Sequence, residues 1–197
     1  MSTVIDTLIY DRTQADIDRL YELKNKILTQ GLSALTTDEK TEYMNGMRGA
    51  YNYGDLNRVG NATSYIANRM TTIPTELDSY RAERGVSDDD IYHVPYDPDT
   101  VTVNPKTDWA VADTPTLTQV TTYLNDITTV RKQLTLPTDT PQTPNTLDNL
   151  TFETANNIEK ILFVVDKILT ETEQALYNKI DNTANAFAYT GISYCGE

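Results

Sequence analysis

The spacing of apolar residues is the feature that most restricts the fold of this sequence. Two segments, 56–73 and 117–134, place mostly apolar residues at steps of 3, 4, 3, 4 and 3, and a third, over 158–176, is apolar along one face. This alternation keeps one side of an α-helix against a partner helix. We therefore predict a mostly α-helical bundle with heptad-patterned helices.

Cap residues and helix breakers predict where the helices begin and end. A short side chain with an oxygen acceptor satisfies backbone N–H groups of the first turn, whereas Gly and Pro favour helix ends. Pro74 is expected to stop or kink the third helix, because proline has no N–H to donate. These signals predict helices over residues 13–30, 36–47, 55–72, 75–84, 114–134 and 152–181.

A minor β element is predicted beside the helices. The β-branched run 101–103 fits a pleated surface, and residues 192–194 are a second candidate that could pair with a partner's edge. The predicted organisation is an N-terminal helical region over 1–135, a Pro/Thr-rich linker or loop over 136–150, and a long helix with a C-terminal tail over 151–197.

The composition limits the partners that this chain is expected to have. It has 16 Lys+Arg against 29 Asp+Glu, a net charge of −13, and its basic residues are scattered. Phosphate contacts need clustered basic residues, so we predict no nucleic-acid partner. No apolar run approaches the ~20 residues of a membrane span, and no export signal is evident. We therefore predict no membrane partner and folding in a cytoplasm, where the single Cys195 forms no internal disulfide.

Candidate catalytic and metal-binding residues are few. His93 is the only histidine, and it lies in a Pro- and Asp-rich loop without a nucleophile pattern around it. The acidic residues 88–90, with Asp97 and Asp99, could gather around Ca²⁺, but their spacing matches no known calcium loop. We therefore predict no catalytic residue, no metal site and no cofactor.

The heptad seams have two interpretations, which periodicity alone does not separate. They form either the core of a single chain or an interface between identical chains. Apolar residues make up only 39% of the sequence, which favours some burial shared with other subunits. The residues predicted to line an oligomer interface are Leu56, Val59, Ile66, Met70, Ile73, Leu117, Leu124, Ile158, Val165 and Leu169. At the start of the same seam, Arg58 is either an exposed residue or a group that supports a helix cap, or else an ion-pair or hydrogen-bond donor at the interface.

Several segments resemble small structural proteins of phages and prophages of Gram-positive bacteria. Two of them are the opening 6–16 (DTLIYDRTQAD) and the segment 49–60 (GAYNYGDLNRVG). The later segments are 106–109 (KTDW) leading to 113–116 (DTPT), and 150–152 (LTF) with 155–162 (ANNIEKIL). The ending YCGE resembles a Ser-Gly-Glu terminus, from which Cys195 departs.

This resemblance implies a virion component of the tail, baseplate or fibre region. It implies no catalytic residue, so we expect a non-enzymatic protein that binds other virion proteins and is present in several copies. A trimer is the first expectation, on the basis of the resemblance rather than the heptads. The expected location is the virion, with assembly in the host cytoplasm.

Two other functions remain open at this stage. A receptor- or carbohydrate-binding module would use an aromatic platform. The residues available for it are Tyr51, Tyr53, Tyr92, Tyr96 and Trp109. A cell-wall hydrolase would need two carboxylates flanking a groove, and the sequence places no such pair.

Overall fold

The computed structural model describes residues 4–192. Over this range it is mostly α-helical, as predicted. The α-helices are α1 (Gln14–Gln30), α2 (Thr37–Met44), α3 (Tyr53–Glu83), α4 (Leu117–Lys132) and α5 (Phe152–Ile192). Short 3-10 helices lie at Val4–Thr7, Leu32–Ala34, Asp90–Tyr92 and Pro98–Thr100.

The predicted β element is not present in the described part of the chain. Residues 101–103 have no regular secondary structure, and Ile192 is the last residue of α5. Residues 193 and 194, the rest of the second candidate, lie outside the described range. Within that range, no helix is both long enough and apolar enough to cross a membrane.

Helices α3 and α5 run parallel to each other, and three polar contacts mark their common direction. Arg58 bonds to Glu159 at 2.8 Å near the start of α3. Further along, Arg69 pairs with Asp166 at 2.5 Å. Near the end, the Tyr80 hydroxyl donates to Asp181 at 2.7 Å. Helix α4 packs against both helices.

The core lies between these three helices. Its side chains come from the inward faces that the apolar spacing marked, and they are almost completely shielded from solvent. Members with no more than 2% exposure include Val59, Ile66, Met70, Ile73, Ile127, Val130, Ile158, Ile161, Leu162, Val165 and Ile180.

Pro74 does not stop α3, which continues through it to Glu83, so the predicted helix end at this residue is wrong. Proline removes one backbone hydrogen bond and crowds the preceding turn, which destabilises a helix interior. Here Met70, Ile73 and Leu77, on both sides of the proline, are all buried in the core. Their packing holds the helix together across the missing hydrogen bond.

The other helices begin close to the predicted residues, but α4 begins later and α5 ends later than predicted. Helix α1 follows Thr13, whose N–H donates to Asp16 at 2.7 Å. Helix α4 begins after Thr116, whose side chain and backbone exchange hydrogen bonds with Gln119. That reciprocal pair places the cap two residues later than the helix start predicted at residue 114. Helix α5 runs to Ile192, well past the expected end at residue 181.

Helices α1 and α2 form a hairpin with a small core of its own. Leu23, Leu35 and Met47 are buried there, apart from the main core. The following loop presses against α1 at Gly49, where a Cβ atom would lie 2.2 Å from the carbonyl oxygen of Asp16. The loop that leads to α3 therefore lies against α1 through a contact that excludes any side chain at position 49.

Nine of the ten predicted interface residues are buried inside the single chain. In this arrangement, their packing partners lie in the same chain. The nine buried residues are Leu56, Val59, Ile66, Met70, Ile73, Leu124, Ile158, Val165 and Leu169. Leu117 differs, since 81% of it is exposed.

The Pro/Thr-rich segment 136–150 is a packed loop. Leu136, Leu147 and Leu150 contact the main core, and Arg131 donates to the carbonyl oxygen of Pro141 at 3.0 Å. That core draws on residues from Ile5 to Ile180, so it includes side chains on both sides of the segment.

Truncation of a seam residue tests the intrachain role. Met70→Ala should lower the free energy of unfolding by about 2–5 kcal/mol, because it leaves a cavity in a fully buried site. Urea denaturation followed by circular dichroism measures this loss, with the exposed Leu28→Ala as the control. The particle mass of the folded variant, measured by light scattering, should equal that of the parent chain, and a lower mass would instead place the seam between chains.

Candidate functional site

A buried network of four charged side chains joins the N-terminal segment to α3 and α5. Glu159 has no exposed surface, and Arg12 is 4% exposed. Arg12 Nη2 lies 2.6 Å from Glu159 Oε1 and 2.7 Å from Asp55 Oδ1. Arg58 donates to both oxygens of Glu159 at 2.8 Å and also bonds to Asp55. Two cations and two anions make the network neutral overall.

Backbone groups complete the network and fix the chain around it. The N–H of Ile9 donates to Glu159 Oε2 at 2.6 Å. Asn156, one turn earlier on α5, accepts from the N–H of Arg12 and donates to its carbonyl oxygen. Asp55 accepts from the N–H of Asn52 at 2.8 Å and so caps α3. The same carboxylates thus hold three separate segments of the chain.

Aromatic side chains close one side of the network. The Arg12 guanidinium lies 5.6 Å from the centre of the Tyr51 ring, and the hydroxyls of Tyr51 and Tyr123 are 2.5 Å apart. Burial raises the pKa of both tyrosines, so both stay neutral at ordinary pH. Burial also opposes the charge on Arg58, but the hydrogen bonds and charges of Glu159 and Asp55 outweigh it and raise the Arg58 pKa.

Arg58 bonds within the single chain to Asp55 and to Glu159. Because Asp55 caps α3, these bonds agree with the interpretation of Arg58 as a group that supports a helix cap. Arg12, Asp55 and Glu159 were not singled out from the sequence. Arg12 and Glu159 lie 147 positions apart, and no local spacing signal connects residues at that separation.

A second contact fastens the loop before α4 to α3. The side chain of Asn57 accepts from the N–H of Trp109 at 2.7 Å and donates to its carbonyl oxygen at 2.9 Å. A Cβ at Gly60 would lie 2.8 Å from the carbonyl oxygen of Lys106, so the loop passes directly over the helix there. Lys106 donates to Asp108 at 2.5 Å, a hydrogen bond that lowers the pKa of Asp108.

The segments that carry the sequence resemblance therefore meet in space. The opening 6–16 supplies Arg12, and the stretch 49–60 supplies Asp55, Asn57 and Arg58. The remaining members come from the later segments, namely Trp109 from 106–109 and Asn156 and Glu159 from 155–162. Residues far apart in the sequence thus form one connected end of the bundle.

A groove of about 670 Å³ opens beside this end of the bundle. It lies between the α1–α2 hairpin, the start of α3 and the loop 109–115. Its walls are mostly apolar, and several of their side chains are exposed, with Met44 at 77%, Val111 at 84% and Tyr53 at 45%. We call this feature the apolar groove.

The structure divides the predicted aromatic platform between two places. Tyr51, Tyr53 and Trp109 line the apolar groove. Tyr92 and Tyr96 line a separate cleft of about 240 Å³ along α3. Trp109 is only 5% exposed, so its ring face is not open to solvent.

The acidic loop carries capping contacts. Asp89 accepts from the N–H of Ile91 at 3.1 Å, and Asp97 accepts from that of Asp99 at 3.0 Å, so both stabilise 3-10 turns. His93 Nε2 lies 3.0 Å from Asp88 in an exposed pair. Among residues 4–192, no group of three or more His, Cys, Asp or Glu is placed to hold a metal ion. Cys195 lies outside this range.

Two buried polar atoms lack a hydrogen-bond partner within the described chain near the loop 101–109. They are Trp109 Nε1 and Asp126 Oδ2. Burial raises the pKa of Asp126, and a backbone hydrogen bond from Asn104 partly offsets this. The ionised form of Asp126 is therefore disfavoured in the folded state.

No family model matches the sequence, and comparison with the curated proteins and with the solved structures found no significant match.

The charged network is tested by Glu159→Gln, which keeps the side-chain shape and removes the charge. We expect the free energy of unfolding to fall by about 3–5 kcal/mol, because the two arginines lose half of their compensation in a buried site. Urea denaturation measures the loss.

Glu171→Gln on the same helix is the matched control. Glu171 is 60% exposed, and its carboxylate lies as far as 3.9 Å from the Lys167 ammonium, so this ion pair is weak. It should leave the unfolding free energy nearly unchanged. Equal stability of the Glu159→Gln and Glu171→Gln variants would contradict a stabilising role for the network.

Asp126→Asn tests the buried carboxylate through its pH dependence. The folded pKa is raised, so the ionised group destabilises the fold above that pKa and ceases to do so below it. The variant should therefore melt at a higher temperature than the parent near pH 7. The difference should shrink as the pH falls through the Asp126 pKa, and melting curves from about pH 4 to pH 8 measure it. A difference independent of pH would show that charge is not the cause.

Proposed function

We propose that this protein is a non-enzymatic structural component of a phage or prophage virion, in the tail, baseplate or fibre region. It acts by binding other proteins during assembly. The observation that carries this proposal is the meeting of the resembling segments at one end of the bundle. Segments that resemble one protein family are joined there by hydrogen bonds and ion pairs, and the apolar groove lies beside them.

The apolar groove supplies the contact surface in this proposal. Exposed apolar patches rimmed by polar residues are typical of protein-interaction sites. Met44 and Val111 are the most exposed of the groove side chains. Covering them removes apolar surface from water, which contributes roughly 25 cal/mol for each Å² buried.

The buried network contributes by fixing the walls of this groove. Asp55 and Arg58 hold the start of α3, which carries Tyr53 and Leu56 into the groove. Because Glu159 anchors the same residues to α5, the groove has little freedom to rearrange. A surface with a fixed shape loses less conformational entropy when it binds.

The assignment is tested on purified particles from the bacterial strain that encodes the chain. The protein should be present in them by mass spectrometry and localise to the tail end by immunogold labelling. Supplied in trans, Val111→Glu should be incorporated at least about tenfold less than the parent, because a charge in an apolar contact is strongly disfavoured. Leu28→Glu, also at an exposed apolar residue but on α1 outside the groove, is the matched control.

Absence of the chain from intact particles contradicts the virion assignment. Equal incorporation of Val111→Glu and Leu28→Glu contradicts the role of the groove alone.

A second candidate is receptor or carbohydrate binding at the same groove. The observation that favours it is the presence of Tyr51, Tyr53 and Trp109 among the residues that line the groove, with Tyr53 45% exposed and able to stack on a ring. Binding to a glycan array that Tyr53→Ala abolishes would support this candidate over the structural role.

A further inference from the structure

The two ends of the molecule differ because α5 is longer than the helix it accompanies. Helix α3 ends near the level of Asp181, which contacts both Tyr80 and Arg84. Helix α5 continues to Ile192. At about 1.5 Å per residue, this final part extends roughly 16 Å past Asp181. Ala184 is the last residue of α5 that packs against the main core among those whose side chains are described.

The sequence at this end is apolar and almost uncharged. Residues 187–197 read FAYTGISYCGE, with three aromatic side chains, one isoleucine and Glu197 as the only charged residue. The chain as a whole carries 45 charged residues, the sum of 16 basic and 29 acidic. We call residues 187–197 the C-terminal segment.

The apolar groove is complementary to this segment in its chemistry. Among residues 4–192, Asp113 is the only charged residue on its walls. Its carboxylate already accepts from the N–H of Ala110 at 3.0 Å and lies 3.5 Å from Lys106. Residues 187–196, which carry no charged side chain, can therefore enter the groove without removing an unpaired charge from water. Elsewhere, two copies of a chain with a net charge of −13 repel each other.

The groove and the C-terminal segment lie at opposite ends of the same molecule. The groove is beside Asp55, which is level with Glu159 on α5. From Glu159 to Ile192 the helix covers about 50 Å. Residues 193–197 span at most roughly 17 Å when fully extended. The segment cannot turn back to the groove of its own chain while α5 is intact.

We propose that the C-terminal segment of one copy docks in the apolar groove of another, so that copies associate head to tail. This names the partner at the groove and rests on its proposed role as a protein-binding surface. Each copy then offers one groove and one segment, which is a heterologous contact. Such contacts extend into filaments or close into rings, and a ring of three is the form that corresponds to the expected trimer.

Light scattering of the purified chain at increasing concentration tests this contact. The parent should show a mass above that of one chain that grows with concentration. A chain ending at Ala186 and the Val111→Glu variant should each remain monomeric, with association weakened at least about tenfold. Leu28→Glu should associate like the parent. Circular dichroism establishes that each variant is folded, and Met44→Glu provides a second groove variant.

Mixing the two defective chains gives the sharpest result. The chain ending at Ala186 keeps an intact groove, and Val111→Glu keeps an intact segment. Together they can form one good contact and no more, so the mixture should stop at the mass of two chains. If the interface used the same surface on both copies, mixing the two defective chains would not restore their association.

Three results would overturn the inference. They are a parent chain that is monomeric at all concentrations, a shortened chain that associates like the parent, and a mixture that stays monomeric. If the parent does not self-associate but is found in virus particles, only the partner named here is wrong. If the groove binds a glycan and no protein, the proposed role as a protein-binding virion component is wrong as well.

Discussion

The pairing of Glu159 with Arg12 and Arg58 is the interaction on which one end of this protein depends. A carboxylate with no exposed surface is stable as a charge only if donors surround it, and here it receives them from both arginines and from the N–H of Ile9. Those donors come from the N-terminal segment and from α3, while the carboxylate comes from α5. The requirement to pair the charge therefore fixes the relative positions of three parts of the chain.

The apolar groove follows from this constraint. Its floor is the start of α3, which Asp55 caps and anchors in the network. The loop 109–115 forms one wall, held to α3 by the reciprocal hydrogen bonds of Asn57 and Trp109. The α1–α2 hairpin, with its separate small core, forms the other wall. The buried polar network thus supports an apolar surface that faces the solvent.

The parallel arrangement of α3 and α5 gives the molecule two unlike ends. One end has the network and the groove, and the other has the part of α5 that extends past α3. Leu117, the one predicted interface residue that is exposed, lies at the start of α4. The seam residues pack within the single chain, and the contact between copies proposed above uses other surfaces.

The sequence by itself determined most of what is local in this structure. Thr13, Thr36 and Thr151 each precede a helix at the start that the sequence predicted, because a cap acts on backbone groups within a few residues. The apolar spacing identified which helix faces are buried but not what buries them, since the same face fits a helix of the same chain or of another. Only the tertiary structure decided that α4 and α5 cover α3, that packing carries α3 through Pro74, and that Arg12 meets Glu159. These outcomes depend on contacts between residues distant in the chain, and no local pattern encodes them.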